Sequence, residues 1–200
     1  MLDRNLPIYI YDTDFISKEE AEEILMQVRE VPFFFETHSI GAAHDGLTGI
    51  PGDRFLDRPI MVAGSNDPED EDILRPLAQS LMERFADKHG LELKEVIRTR
   101  TNVSFRTLDP RPTQPHVDLR NSRKHFVFLY YINSCDGDTI LFDQKADGEF
   151  HTQEDLIELQ RFKPVGGGAL LFNGDYFHTW EHPTNFDYRA TINLNVDINY

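Results

Sequence analysis

The segment PHVDLR, residues 115–120, sets an imidazole and a carboxylate two positions apart, at His116 and Asp118. In an extended strand successive side chains point to opposite faces, so both groups project from one side. Such a pair is either a surface accident or two ligands of a metal that takes a third from elsewhere. It is the only H-x-D in the chain. Of the later histidines, His125, His151, His178 and His182, His178 ends the strand-like run ALLFNGDYFHTW and is followed by one more such run. In a jelly roll the second and seventh core strands can meet at one mouth. His116, Asp118 and His178 would then form the two-His-one-carboxylate facial set of non-haem Fe(II) sites. That set leaves room on the metal for a bidentate cosubstrate and for O₂. His182 is the rival third ligand, but it precedes Pro183 in an expected turn, and a surface role is predicted for it. His38, His44 and His89 read as solvated or loop-capping residues, and His125 as the start of a strand.

The last run, RATINLNVDI (189–198), puts Arg189, Thr191, Asn193 and Asn195 on one face and Ala190, Ile192, Leu194 and Val196 on the other. The apolar face belongs in a core; the polar face looks at solvent or into a wet pocket. An arginine's planar fork grips a carboxylate bidentately. Placed across one hairpin from His178, Arg189 could pair with the far end of a small dicarboxylate whose near end chelates the metal.

These residues need a scaffold. LPIYIY (6–11) alternates as a strand. SKEEAEEILMQVRE (17–30) reads as a helix, with Ser17 as N-cap and Glu20 three later as in a capping box. A second helix is expected over about 71–89, closed by Gly90, with Pro76 marking a kink or a later start. Between the helices, residues 37–68 read as a long irregular connection and a candidate substrate rim. NDPEDED (66–72) within and beyond it reads as solvated loop. From about residue 96 the chain becomes a series of about eight short strand-like runs, PHVDLR among them, broken by DPRP, CDGD, VGGG and PTNFD. Gly166–Gly168 reads as a hairpin turn rather than a phosphate cradle, because no helix N-terminus follows it. The expected fold is a single α+β, mainly β domain over 1–200. Residues 1–95 would supply strand, helices and rim, and 96–200 a cupin-like double-stranded β-helix, or jelly roll.

Composition narrows the partners. With 35 acids against 20 bases the formal charge is −15. Nucleic-acid binding needs a basic footprint, so that partner is not expected, despite RNSRKH at 120–125. No apolar stretch reaches the length of a membrane span, no signal peptide is evident, and the single cysteine, Cys135, allows no internal disulfide. A cytoplasmic protein is the expectation.

HVD…HTW…YRATINLNV resembles the 2-oxoglutarate- and Fe(II)-dependent dioxygenases, and within them the prolyl 4-hydroxylase-like branch. The resemblance covers roughly residues 98–198, with YIYDTDFISKEEAEEIL similar to that branch's opening. FLYYIN (128–133), followed by a Gly-containing turn and TILF, and KPVGGGALLFNGDYFHTWEHP match its later segments. The resemblance implies His116, Asp118 and His178 as iron ligands, Arg189 and Tyr131 as holders of the distal carboxylate of 2-oxoglutarate, and Asn102 as a further cosubstrate-pocket residue. It implies hydroxylation of an unactivated C–H bond with O₂, most naturally in a prolyl residue of a peptide or protein. Two departures bear on the substrate: TLDPRPTQP lacks the tyrosine often found before the first ligand, and the last strand has asparagines where a tryptophan is common. A free amino acid or other small molecule is the alternative substrate, and a cupin-like metal-binding module without turnover the alternative class. The charge argues against a nucleic-acid demethylase.

Overall fold

The computed structural model describes residues 7–36, 60–63, 73–108, 112–119, 124–146, 151 and 153–199. In chain order they form β1 (Tyr9–Asp12), α1 (Lys18–Arg29), β2 (Phe34–Glu36), β3 (Ile60–Val62), α2 (Arg75–His89), β4 (Glu92–Phe105), β5 (Phe126–Tyr131), β6 (Thr139–Lys145), β7 (Glu158–Phe162), β8 (Ala169–Asn173), β9 (Tyr176–Trp180) and β10 (Tyr188–Asn199). The larger sheet runs β1-β8-β5-β10-β4-β3-β2 and the smaller β7-β6-β9. Residues 113–116 lengthen the smaller sheet along β9: Thr113 N donates to Trp180 O at 2.9 Å, and His116 and His178 exchange backbone bonds of 2.9 and 3.0 Å. Four strands, β8-β5-β10-β4, thus face β7-β6-β9 and the 113–116 segment. This is a double-stranded β-helix with two helices, mainly β as expected.

Alternation along β5 shows how the sheets are held. Phe128 and Tyr130 join Phe15, Phe85, Ile192 and Leu194 in a core under the helices. Val127, Leu129 and Tyr131 point the other way, meeting Leu141, Phe162, Leu170 and Phe172 between the sheets. Both faces of β5 are buried, which is why FVFLYY is continuously apolar.

Ser17 caps α1 through its side chain, accepting from Glu20 N at 3.2 Å. The capping box is only half realised, because the Glu20 carboxylate is taken by Arg84 of α2. α2 begins at Arg75, later than 71, with Pro76 in its first turn, where a missing N–H leaves no bond unmade. Gly90 closes it with φ 67°. Among the described helices none is long and apolar enough to cross a membrane.

Four expectations need correction. Residues 60–62 lie in the stretch read as irregular, but they form β3, paired with β4 and β2, and Ala63 follows with its N–H on Thr101 O at 3.0 Å; residues 37–59 and 64–72, with His38, His44 and NDPEDED, lie outside the described residues. The described part of PHVDLR, residues 115–119, is not a strand: His116 makes one isolated bridge, with His178. Pro112 and Pro115 have no N–H to extend a ladder there. Gly166–Gly168 is a crossover rather than a hairpin, since β7 and β8 lie in different sheets; Gly167 takes φ 85° to make it. For the same reason no hairpin joins His178 to Arg189: β9 and β10 belong to opposite sheets and face each other.

Candidate metal centre

The isolated bridge does what the strand was expected to do. It sets His116 and His178 directly opposite, with ring centroids 4.5 Å apart. Each ring turns Nδ1 to a backbone carbonyl, His116 to Gln114 O at 3.1 Å and His178 to Tyr176 O at 3.4 Å. A proton on Nδ1 in each leaves Nε2 with a lone pair. Both Nε2 atoms lie 3.5 Å from Asp118 Oδ1. One ligand atom from each of His116, Asp118 and His178 falls within 4.8 Å of the others.

Asp118 uses its other oxygen differently. Oδ2 accepts from Asn195 Nδ2 at 2.7 Å and Asn193 Nδ2 at 3.3 Å. Burial pushes the Asp118 carboxyl up, but hydrogen bonds from the His116 and His178 rings when Nε2 also carries a proton, the charge of His178 and that of Arg98 outweigh it and hold it well below the ordinary value. Burial and the neighbouring His116 lower His178, against the pull of Asp118. One carboxylate and a neutral imidazole are the protonation states a divalent cation needs. Fixing Oδ2 leaves Oδ1 to ligate alone. We expect Asn195→Ala to weaken Mn(II) binding by about 10- to 100-fold, as loss of a ligand's support does, with the fold retained; titration followed by electron paramagnetic resonance checks this.

The cavity beside these ligands is lined by Asn102, Ser104, Leu129, Thr139, Thr179, Trp180, Arg189, Thr191 and Asn193 as well as both histidines. The polar face of β10 therefore looks into a pocket. Arg189 is buried, donating from Nε to Gly137 O and from Nη2 to Thr139 Oγ1, each at 2.9 Å. Asn102 Oδ1, Ser104 Oγ and Asn193 Oδ1 are buried cavity atoms with no hydrogen-bond partner. Buried polar groups of this kind are normally satisfied, so three along one wall fit a polar ligand.

Tyr131 stands one layer back. Its hydroxyl donates to Thr139 Oγ1 at 2.9 Å, and it does not line the cavity. Thr139, Ser104, Trp180 and the supporting role of Asn193 and Asn195 escaped the sequence reading. The two asparagines carried a signal, lying on the Arg189 face of β10. Thr139 carried none, since a buried threonine opening a strand is unremarkable. His182 is buried, not superficial, with Nδ1 3.2 Å from Phe105 O, well outside the ligand set. His89 is half-buried, with its Nε2 3.0 Å from Asp12 Oδ2.

The turn leading into Arg189 is anchored by Asp136, which accepts from Thr184 N and Oγ1 at 3.1 and 2.7 Å and from Asn185 N and Nδ2 at 3.0 and 2.7 Å. Burial opposes ionisation, but the bonds from Thr184 and Asn185 prevail and hold the carboxyl at about 2. A folded-state value below the unfolded one, about 3.9, gives stability that is present above that pH and lost as pH falls toward 2. Asp136→Asn should therefore flatten the fall in melting temperature between about pH 4 and pH 2.

Two histidines and an aspartate on a double-stranded β-helix, beside a polar cavity that ends in an arginine, define a candidate mononuclear metal centre. No protein-family model matches the chain, and no curated protein matches it. Solved structures do. A prolyl hydroxylase from Trichoplax adhaerens, in complex with a hypoxia-inducible-factor peptide fragment, is 17% identical with a TM-score of 0.58, covering 96% of this chain and 84% of its own. The epimerase SnoN from nogalamycin biosynthesis, in complex with Fe³⁺, α-ketoglutarate and nogalamycin RO, is 11% identical with a TM-score of 0.57, covering 96% and 81%. HygX from Streptomyces hygroscopicus, with nickel and 2-oxoglutarate bound, is 9% identical with a TM-score of 0.60, covering 94% and 82%. The chain has the fold of the 2-oxoglutarate/Fe(II) oxygenases.

Proposed function

We propose that the protein is a 2-oxoglutarate- and Fe(II)-dependent oxygenase that hydroxylates an unactivated C–H bond. The observation that carries this reading is the meeting of His116, Asp118 and His178 beside a cavity that the two histidines line together with Arg189. His116 and His178 would hold iron through Nε2, and Asp118 through Oδ1. Arg189 would hold the distal carboxylate of 2-oxoglutarate. Thr139 Oγ1 already accepts from both Tyr131 and Arg189. Its own proton is left to donate to that carboxylate. Tyr131 thus orients the hydroxyl rather than touching the ligand. Asn102 and Ser104 supply further polar atoms on the wall. When bound, iron and 2-oxoglutarate together would supply the activation of O₂ and the oxidising power; the chain supplies position and exclusion of water.

A prolyl residue in a peptide or protein is the favoured target, supported by the sequence resemblance and the peptide-bound Trichoplax adhaerens neighbour. A small-molecule substrate is the second reading, favoured by the nogalamycin-bound epimerase of the same fold. The test is anaerobic addition of Fe(II) and then 2-oxoglutarate to the protein. The expected result is the weak visible charge-transfer band of a chelated keto acid, then succinate release on admitting O₂. Iron binding without the band would leave only a metal-binding jelly roll.

A further inference from the structure

Antiparallel pairing sets Ser104 beside Arg189, Asn102 beside Thr191, Arg100 beside Asn193 and Arg98 beside Asn195. Directly paired residues share a face, so the inner face of β4 reads Arg98, Arg100, Asn102, Ser104. Its Ser104 end adjoins the Arg189 end of the cavity. Its Arg98 end adjoins Asn195, the residue that holds Asp118. The chain therefore carries cationic groups at both ends of the site, within a protein of net charge −15. Arg100 is 4% exposed. Arg98 is partly buried and, among the described residues, makes no hydrogen bond or ion pair. It stands directly across the ladder from Asn195, whose Nδ2 lies 2.7 Å from Asp118 Oδ2. None of the Arg98 nitrogens is among the buried unpartnered atoms, so the guanidinium is reachable from solvent, with its donors available to an acceptor that a ligand brings. Arg189 already serves one carboxylate, and Arg98 lies on the far side of the ligand set from it.

We propose that Arg98 recognises an anionic group, a carboxylate, on the substrate to be oxidised, held on the Asp118 side of the metal. This rests on the oxygenase reading and narrows it to acid-bearing substrates. The carboxylate has two possible sources: the main-chain acid of a free amino acid, or an acidic side chain next to the target in a peptide.

The test uses the full chain loaded anaerobically with Fe(II) and 2-oxoglutarate. The sole tryptophan, Trp180, lines the cavity 5.6 Å from the His116 ring, so its fluorescence reports probe binding at the site. One arm compares L-proline with L-prolinamide, the other acetyl-Asp-Pro-amide with acetyl-Asn-Pro-amide. In one arm the acid should bind roughly tenfold or more tighter than its amide, the worth of a charge-assisted bond. Arg98→Gln should erase that preference and Arg98→Lys keep part of it, while the charge-transfer band persists in both. Equal binding of acid and amide in both arms, no binding of either acid, or a preference that survives Arg98→Gln would each overturn the proposal. So would an Arg98→Gln variant that loses iron affinity with its acid-to-amide ratio unchanged, since Arg98 would then be only a counter-charge for Asp118. Failure of the band in the wild-type protein would overturn the oxygenase reading itself, and this inference with it.

Discussion

His178→Ala should lower Fe(II) or Mn(II) affinity by more than about 100-fold, beyond the loss expected for a supporting residue, while His182→Ala leaves it within a few-fold. The contrast is sharp because the two histidines are four residues apart and both buried. They differ in what their rings face. His178 turns Nε2 toward Asp118 Oδ1 at 3.5 Å, with its orientation set by Tyr176 O, by the edge of Phe172 at 4.9 Å and by the backbone bridge to His116. His182 is spent on Phe105 O, at the far end of β4. Truncating His178 would leave one imidazole and one carboxylate, too few to hold a divalent ion against water. Metal titration of the two variants, with melting temperature as a check on folding, measures both effects. Equal metal affinity in the His178→Ala variant and the wild-type protein would remove the ligand assignment.

Much of this site was legible in residue order, and what was not has physical causes. The alternation of β10 was readable because one of its faces packs under the helices through Ala190, Ile192 and Leu194. A polar face that begins with arginine then had to look at solvent or into a pocket, and register with β4 and β5 decides for the pocket. The H-x-D pair was readable as chemistry but misread as structure. Period-two reasoning needs a continuous ladder, and prolines at 112 and 115 prevent one. His116 and Asp118 converge instead because a single bridge fixes the first and two asparagines of β10 fix the second. Partners separated by 75 and 77 positions leave no local trace. The same holds for β3, whose three residues take their strand form from pairing with β4 and β2 rather than from their own pattern. Sheet membership was hidden too. β9 and β10 follow each other in sequence and were expected to pair, yet the fold sends them to opposite sheets, which is what lets His178 and Arg189 look at one cavity from two sides.

Arg189→Ala should raise the dissociation constant for 2-oxoglutarate by at least about 100-fold, the equivalent of roughly 3 kcal/mol in lost charge-assisted bonds, while Mn(II) affinity stays within a few-fold of the wild-type value. The separation is expected because Arg189 touches none of the three proposed ligands. Its bonds run to Gly137 O and Thr139 Oγ1, which lock the guanidinium plane and leave Nη1 for a ligand. Arg189→Lys should recover little. A single ammonium cannot bond Gly137 O and Thr139 and still offer a fork to a carboxylate. The neighbours sharpen the test. Thr139→Val removes both the bridge to Tyr131 and the proton available to the ligand, so its effect should approach that of Arg189→Ala. Tyr131→Phe removes only a donor to Thr139, and a change of a few-fold is expected. A Tyr131→Phe effect larger than that of Thr139→Val would place the Tyr131 hydroxyl on the carboxylate itself, with Thr139 the bystander. Decay of the charge-transfer band on dilution orders the three variants without requiring that the substrate be known.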